Sequence, residues 1–270
     1  MFEDRIKIGL SLSGGGARGF AHVGVIKALQ EAGIQPDMVS GASAGSVVGA
    51  LYAAGFSPEE MLQFIEESSF LKLVKLGIPS GGLSKLTYLR QRLDEVIPVD
   101  DFDELKYPLF VAITNLNSGA LELKSKGPLY DIVMASCSIP LVFQPVEIDK
   151  QLYVDGGLLC NLPAEPLSSR TDFVIGVNLT PPVKVPKKNL SGVVGIAYRC
   201  FDLSVWANTQ PQTSLCDYLL EPAGIVDYTI FQFNKFKDIY QLGYDQTKAA
   251  IPEITKRLEQ MKVDKLEVGN

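Results

Sequence analysis

The chain has 270 residues, of which 46% are hydrophobic and 21% charged, and its formal net charge is -6. This composition supports a sizeable buried core and excludes a disordered chain. The acidic balance argues against nucleic acid as a partner, and any lipid contact would have to rest on local apolar surface or a local basic patch.

The N-terminus runs directly into a strand-like segment. It has no signal-peptide pattern, and no apolar run reaches membrane-spanning length, so the expected location is the cytoplasm. Ile6, Ile8, Leu10 and Leu12 alternate with Lys7, Gly9, Ser11 and Ser13, which predicts a strand with a small-residue face where a helix can approach. A glycine turn follows at residues 14–19, and then a helix over 20–32 ended by Gly33. Residues 38–40 read as a short strand running into Gly41-Ala42-Ser43-Ala44-Gly45, with a helix over 46–54 behind it.

Ser57-Pro58-Glu59-Glu60 is a capping box that opens another helix. Residues 70–78 mix apolar residues with Lys72 and Lys75, which fits either an interfacial lid or a partly buried helix with a solvated lysine edge. Residues 79–83 read as a loop, 87–96 as a helix, and 109–113 as a strand covered on both faces. A helix is expected over 129–137, a strand pair over 146–148 and 152–154 joined through Asp149-Lys150, and a further strand over 173–177. Residues 181–188 read as a surface linker. Residues 238–261 read mostly as one helix, with Pro252 as a kink or boundary. Strands alternating with helices imply an α/β fold with a largely parallel sheet.

Three glycine-containing motifs carry chemistry. Gly41-x-Ser43-x-Gly45 between strand and helix has the form of a nucleophile elbow, in which flanking glycines leave room for a sharp turn that exposes the serine hydroxyl. Gly14-x-Gly16-x-x-Gly19 presents backbone N–H groups to an anion, as either a dinucleotide pyrophosphate site or an oxyanion hole. The dinucleotide reading needs an acidic residue at the end of the next strand, and that strand leads into the elbow instead. Arg18, a cation at a helix start, either orients the glycine loop, attracts an anionic head group or pairs with a surface carboxylate.

Asp155-Gly156-Gly157 follows an apolar strand. It gains weight because Ser43 needs a base and His22 is the chain's single histidine. His22 shares a helical face with Ile26 and Leu29 and reads as a packed, hydrogen-bonded residue rather than a triad member. One histidine also argues against a metal site. The four cysteines, Cys137, Cys160, Cys200 and Cys216, form no Cys-x-x-Cys pair and read as small hydrophobes.

Together these residues resemble the patatin-like phospholipases. The glycine run Gly14-Gly15-Gly16-Ala17-Arg18-Gly19, the elbow, Ala135-Ser136-Cys137-Ser138-Ile139-Pro140 with Phe143 and Pro145, Asp155-Gly156-Gly157 and Asn161-Leu162-Pro163 occur in that order. The resemblance implies a three-layer α/β/α fold with a mostly parallel sheet, an acyl hydrolase domain over residues 1–180, and a helical extension over 181–270 packed on it. It implies a Ser-Asp dyad with Ser43 as nucleophile and Asp155 as base, an oxyanion hole in the Gly14 to Gly19 run, lipid esters as substrates, and no metal or cofactor. An acyltransferase with the same dyad and a catalytically weak lipid-binding protein remain alternatives. Peripheral membrane contact and a homo-oligomer are compatible with this reading. Residues from about 190 onward match no motif, and an acyl-pocket wall, a lid or an oligomer contact are the roles open to them.

Overall fold

The computed structural model describes residues 5–67, 86–187 and 190–268. An eight-stranded mixed sheet forms the middle layer. Its strands are β1 (Ile8–Leu12), β2 (Met38–Gly41), β3 (Leu109–Asn115), β4 (Leu121–Lys124), β5 (Val146–Ile148), β6 (Gln151–Asp155), β7 (Phe173–Val177) and β8 (Tyr218–Leu220). The order is β5-β6-β3-β2-β1-β7-β8, with β4 on β3. From β3 to β8 neighbouring strands run parallel, whereas β4, β5 and β6 join antiparallel.

The helices are α1 (Phe20–Glu31), α2 (Ala44–Ala53), α3 (Pro58–Glu67), α4 (Thr87–Val96), α5 (Leu129–Ser136), α6 (Glu165–Ser168), α7 (Gly192–Thr213) and α8 (Phe236–Val268). They complete the three-layer α/β/α arrangement. Leu10 and Leu12 of β1 enter the main core with Val23, Ile26 and Leu51. On the other face, a Cβ at Gly9 would lie 3.0 Å from Leu167 Cβ, so the small-residue face of β1 does admit close packing at α6.

Local signals act as expected where both partners lie close in sequence. The Ser57 N–H and hydroxyl both donate to Glu60 Oε2, at 2.8 and 2.7 Å, and the Glu60 N–H returns to Ser57 Oγ at 3.3 Å. Gly33 takes φ +72° after α1. Asp149 and Lys150 both have positive φ, 50° and 63°, which is the two-residue hairpin that suits the twist between β5 and β6.

Some expectations differ from the structure. The helix expected over 46–54 starts at Ala44, directly after the serine. Pro252 neither ends nor divides its helix, since α8 runs through it. Strands β4 and β8 and the 22-residue α7 were not read from the sequence. The segment after residue 180 supplies β8, which pairs with β7, as well as α7 and α8. The expectations for residues 70–78 and 79–83 fall outside the described residues. Among the described residues no helix is long and apolar enough to cross a membrane.

Candidate active site

β1 and β2 are adjacent and parallel, so their C-terminal ends bring the glycine turn and the serine turn side by side. Ser43 sits between β2 and α2 with φ 50° and ψ -126°, a conformation that costs a non-glycine residue energy and must be held by its surroundings. Its N–H donates to Ser136 Oγ at 2.9 Å, and that hydroxyl donates in turn to Ala112 O at 2.8 Å. The turn also needs close backbone approach. A Cβ on Gly45 would stand 2.2 Å from Leu12 O, and one on Gly41 would stand 2.4 Å from Gly45 O.

Asp155 ends β6, paired opposite Ile113 of β3. Its N–H donates to Ser138 O at 3.0 Å, so residues 136–138 hold both the serine turn and the aspartate. The carboxylate accepts the Gly157 N–H at 2.8 Å, and the Ser43 hydroxyl lies beside it. Burial raises its pKa to about 7, against the opposing pull of both groups. A Cβ at Gly156 would lie 2.0 Å from Ala112 O, so only glycine lets the aspartate's turn lie against β3.

The glycine turn is held from several sides. The Gly14 N–H points at Asn161, 3.1 Å from its Oδ1 and 3.2 Å from its backbone O. The Ala17 N–H donates to Ile230 O at 2.8 Å, and the Arg18 N–H donates to Gly15 O at 3.1 Å. The N–H groups of Gly15 and Gly16 have no protein acceptor among the described residues. Gly15 and Gly16 themselves have φ 157° and 57°. Gly19 abuts the elbow, since a Cβ there would meet Ala44 Cβ at 2.7 Å.

Arg18 turns to backbone carbonyls. Its Nε donates to Tyr228 O at 2.8 Å and its Nη1 to Leu179 O at 3.1 Å, which ties the glycine turn to two later segments. His22 is fully buried, and its Nε2–H donates to Ser13 O at 2.8 Å. A carbonyl can only accept, so Nε2 carries the proton. Burial lowers the pKa to about 4, and Nδ1 has no partner among the described residues, so the ring is neutral and steadies the residue before the glycine turn. This is the packed, hydrogen-bonded histidine expected from its helical face.

Several supporting residues were not singled out from the sequence. Asn208 on α7 accepts the Asn161 N–H at 2.8 Å and donates to Gly157 O at 2.9 Å, fixing the chain just after Asp155. Ser204 donates to Leu158 O at 2.8 Å. Asn161 and Ser136 lie inside motifs that the sequence displays, but Asn208 lies in a stretch with no motif.

A cavity of about 310 Å³ opens at Ser43 and Gly16. Its walls are almost wholly apolar and include Phe20, Val47, Leu51, Leu89, Phe143 and Ile230. Cys137 also lines it, and burial raises that thiol's pKa, so it stays protonated and does not compete as a nucleophile. Ser43 and Gly16 thus line an apolar chamber, with the buried Asp155 carboxylate beside the serine.

Comparison with known proteins bears on the fold and the family. The structure resembles VipD from Legionella pneumophila, with a TM-score of 0.51 and 18% identity over 92% of this chain and 67% of that one. It also resembles human GIVD cytosolic phospholipase A2, with a TM-score of 0.53 and 11% identity over 96% and 61% of the two chains. In sequence it is 33% identical to an NTE family protein of Mycobacterium tuberculosis over 176 residues, 64% of this chain and 49% of that protein. It is 29% identical to human patatin-like phospholipase domain-containing protein 6 over 279 residues, 90% of this chain and 20% of that protein. The chain therefore spans about half the length of these curated relatives or less. The patatin-like phospholipase family model matches residues 10–168, more than half of the chain and all three glycine motifs, so the chain belongs to the patatin-like phospholipase family.

Proposed function

We propose that the protein is a serine acyl hydrolase of lipid esters working through a Ser43–Asp155 dyad. The observation that carries this reading is the buried Asp155 carboxylate beside the Ser43 hydroxyl, with Ser43 in the wall of an apolar cavity. The acyl chain lies in the cavity, with its ester carbonyl at Ser43. Asp155 takes the hydroxyl proton as Oγ bonds to the carbonyl carbon, and the Gly15 and Gly16 N–H groups stabilise the oxyanion. Collapse of that intermediate breaks the ester bond, and the alcohol leaves with the proton from Asp155. Asp155 then takes a proton from water, which attacks the acyl-serine. The fatty acid departs, and Ser43 recovers its proton.

A raised carboxylate pKa suits a base that works near neutrality. As free enzyme, the protein is expected to show a rising limb in kcat/KM with an apparent pKa near 7, since only ionised Asp155 accepts the proton. A profile flat from pH 5 to pH 8 would remove Asp155 from this role.

The direct test is covalent labelling. The wild type is expected to react with a fluorophosphonate probe and to hydrolyse esters in a lipid panel, whereas Ser43→Ala does neither while remaining folded. Equal labelling of the two proteins would place the nucleophile elsewhere.

A further inference from the structure

Helix α7 buries one side against the Asp155 turn, through Ser204 and Asn208. Its other side faces solvent and is also apolar. Val193, Ile196, Cys200, Leu203 and Trp206 recur at three- and four-residue spacing and form one exposed stripe. Val193 is 84% exposed and Ile196 53%, and neighbouring Val194 is 65% exposed. A run of this size on a solvent face calls for a cover.

The stripe continues into a groove of about 420 Å³ between α7 and the loop around Leu141. Leu116 and Leu141 at its rim are exposed, and Ala197, Cys200 and Phe201 form its α7 wall. Phe143 lines this groove and also the cavity at Ser43, so the two share a wall residue.

The segment leading into the stripe is basic. Residues 181–201 contain Lys184, Lys187, Lys188 and Arg199 and no Asp or Glu, in a chain of net charge -6, and Arg199 pairs with Asp202 at 3.9 Å. Lys184 and Lys187 are exposed. Arg199 donates to Val183 O at 3.0 Å and so holds this lysine segment alongside α7.

We infer that the solvent face of α7, together with the Leu141 rim, docks on an anionic lipid surface. The apolar stripe enters the acyl region, the lysines meet the headgroups, and the groove behind Phe143 leads an acyl chain to Ser43. The last step rests on the hydrolase reading, but the docking itself does not. A second copy of the chain fits less well, because pairing through this face would bring two basic edges together.

Vesicle binding tests the inference. The wild type is expected to co-sediment with phosphatidylcholine–phosphatidylglycerol vesicles, and less with phosphatidylcholine alone. Emission from Trp206, the chain's one tryptophan, is expected to shift to shorter wavelength on binding. The double variant Val193→Asp/Ile196→Asp should lose the shift, and Lys184→Glu/Lys187→Glu should weaken binding to the anionic vesicles by at least about tenfold. Both should hydrolyse a soluble short-chain ester at the wild-type rate, and Ser43→Ala should bind vesicles normally. Wild type that ignores anionic vesicles would overturn the inference. So would undiminished binding by the double aspartate variant, or light scattering that shows this variant splitting a wild-type dimer. Vesicle binding without any ester turnover would overturn the hydrolase reading while supporting the docking face.

Discussion

Asp155→Asn is expected to give a protein that is more stable than the wild type at pH 8 and nearly inert. The amide keeps an oxygen for the Gly157 N–H but cannot take the Ser43 proton, so kcat should fall by at least about 10²-fold, the usual scale for a lost general base. The stability gain follows from the same burial. Folding raises the carboxyl pKa from 3.8 to about 7, so the folded chain binds more protons than the unfolded chain between those values. Wild-type stability therefore falls as pH rises through that window, and above pH 7 the ionised group costs up to about 4 kcal/mol. Asparagine carries no such cost. Urea unfolding at pH 8 should favour the variant by a few kcal/mol, about 2–4, and the gap should close as pH falls towards 4. Equal midpoints at pH 8 would mean that Asp155 is not held in a water-poor site, and the basis for its proposed role would be gone.

Gly24→Val is expected to loosen the long C-terminal helix and, through it, the glycine turn. A Cβ at Gly24 would stand 2.1 Å from Tyr240 O and 2.7 Å from Tyr244 N, and one at Gly243 would stand 2.2 Å from Ala21 O. The backbones of α1 and α8 thus touch through two glycines, and neither listener in that contact is a flexible side chain that could swing away. Valine there must push α8 outward, away from a core that holds its Ile239, Ile254 and Leu258. Overpacking of this kind costs about 1–3 kcal/mol or more. The chain just before α8 supplies Tyr228 O to Arg18 and Ile230 O to Ala17, so turnover should fall together with the melting temperature. Gly33→Asn is the control, because nothing lies within 4 Å of a Cβ there and asparagine tolerates its positive φ. A Gly24→Val protein with the wild-type melting temperature would show that the two helix backbones do not meet.

These two substitutions mark the limit of what could be read along the chain. The conflict at Gly24 is with residues more than 200 positions away, and a glycine inside a helical pattern looks like a weak helix residue until its partner is known. Likewise the sequence left three roles open for Arg18, and its two carbonyl partners lie at positions 179 and 228. Helix α7 escaped notice because its pattern is inverted: polar Ser204 and Asn208 face the protein while Val193, Ile196, Leu203 and Trp206 face solvent. Strand β8 has three residues, too few for an alternation, and only its pairing with β7 defines it.

The amino-acid sequence by itself determined the elements whose causes are local. These are the β1 alternation, the Ser57 capping box, the hairpin at Asp149-Lys150, and the glycines that permit sharp turns around Ser43 and after Asp155. It also carried the family motifs in order. Only the tertiary structure decided that Ser136 and Ser138 hold the serine turn and the aspartate together, that the Gly15 and Gly16 amides find no acceptor among the described residues while their neighbours are bonded, and that α7 turns an apolar face to solvent. The physical reason is reach. A cap or a turn is settled within a few residues, whereas the surroundings that raise a pKa, satisfy an amide or leave a side chain uncovered are assembled from segments that meet only once the sheet has formed.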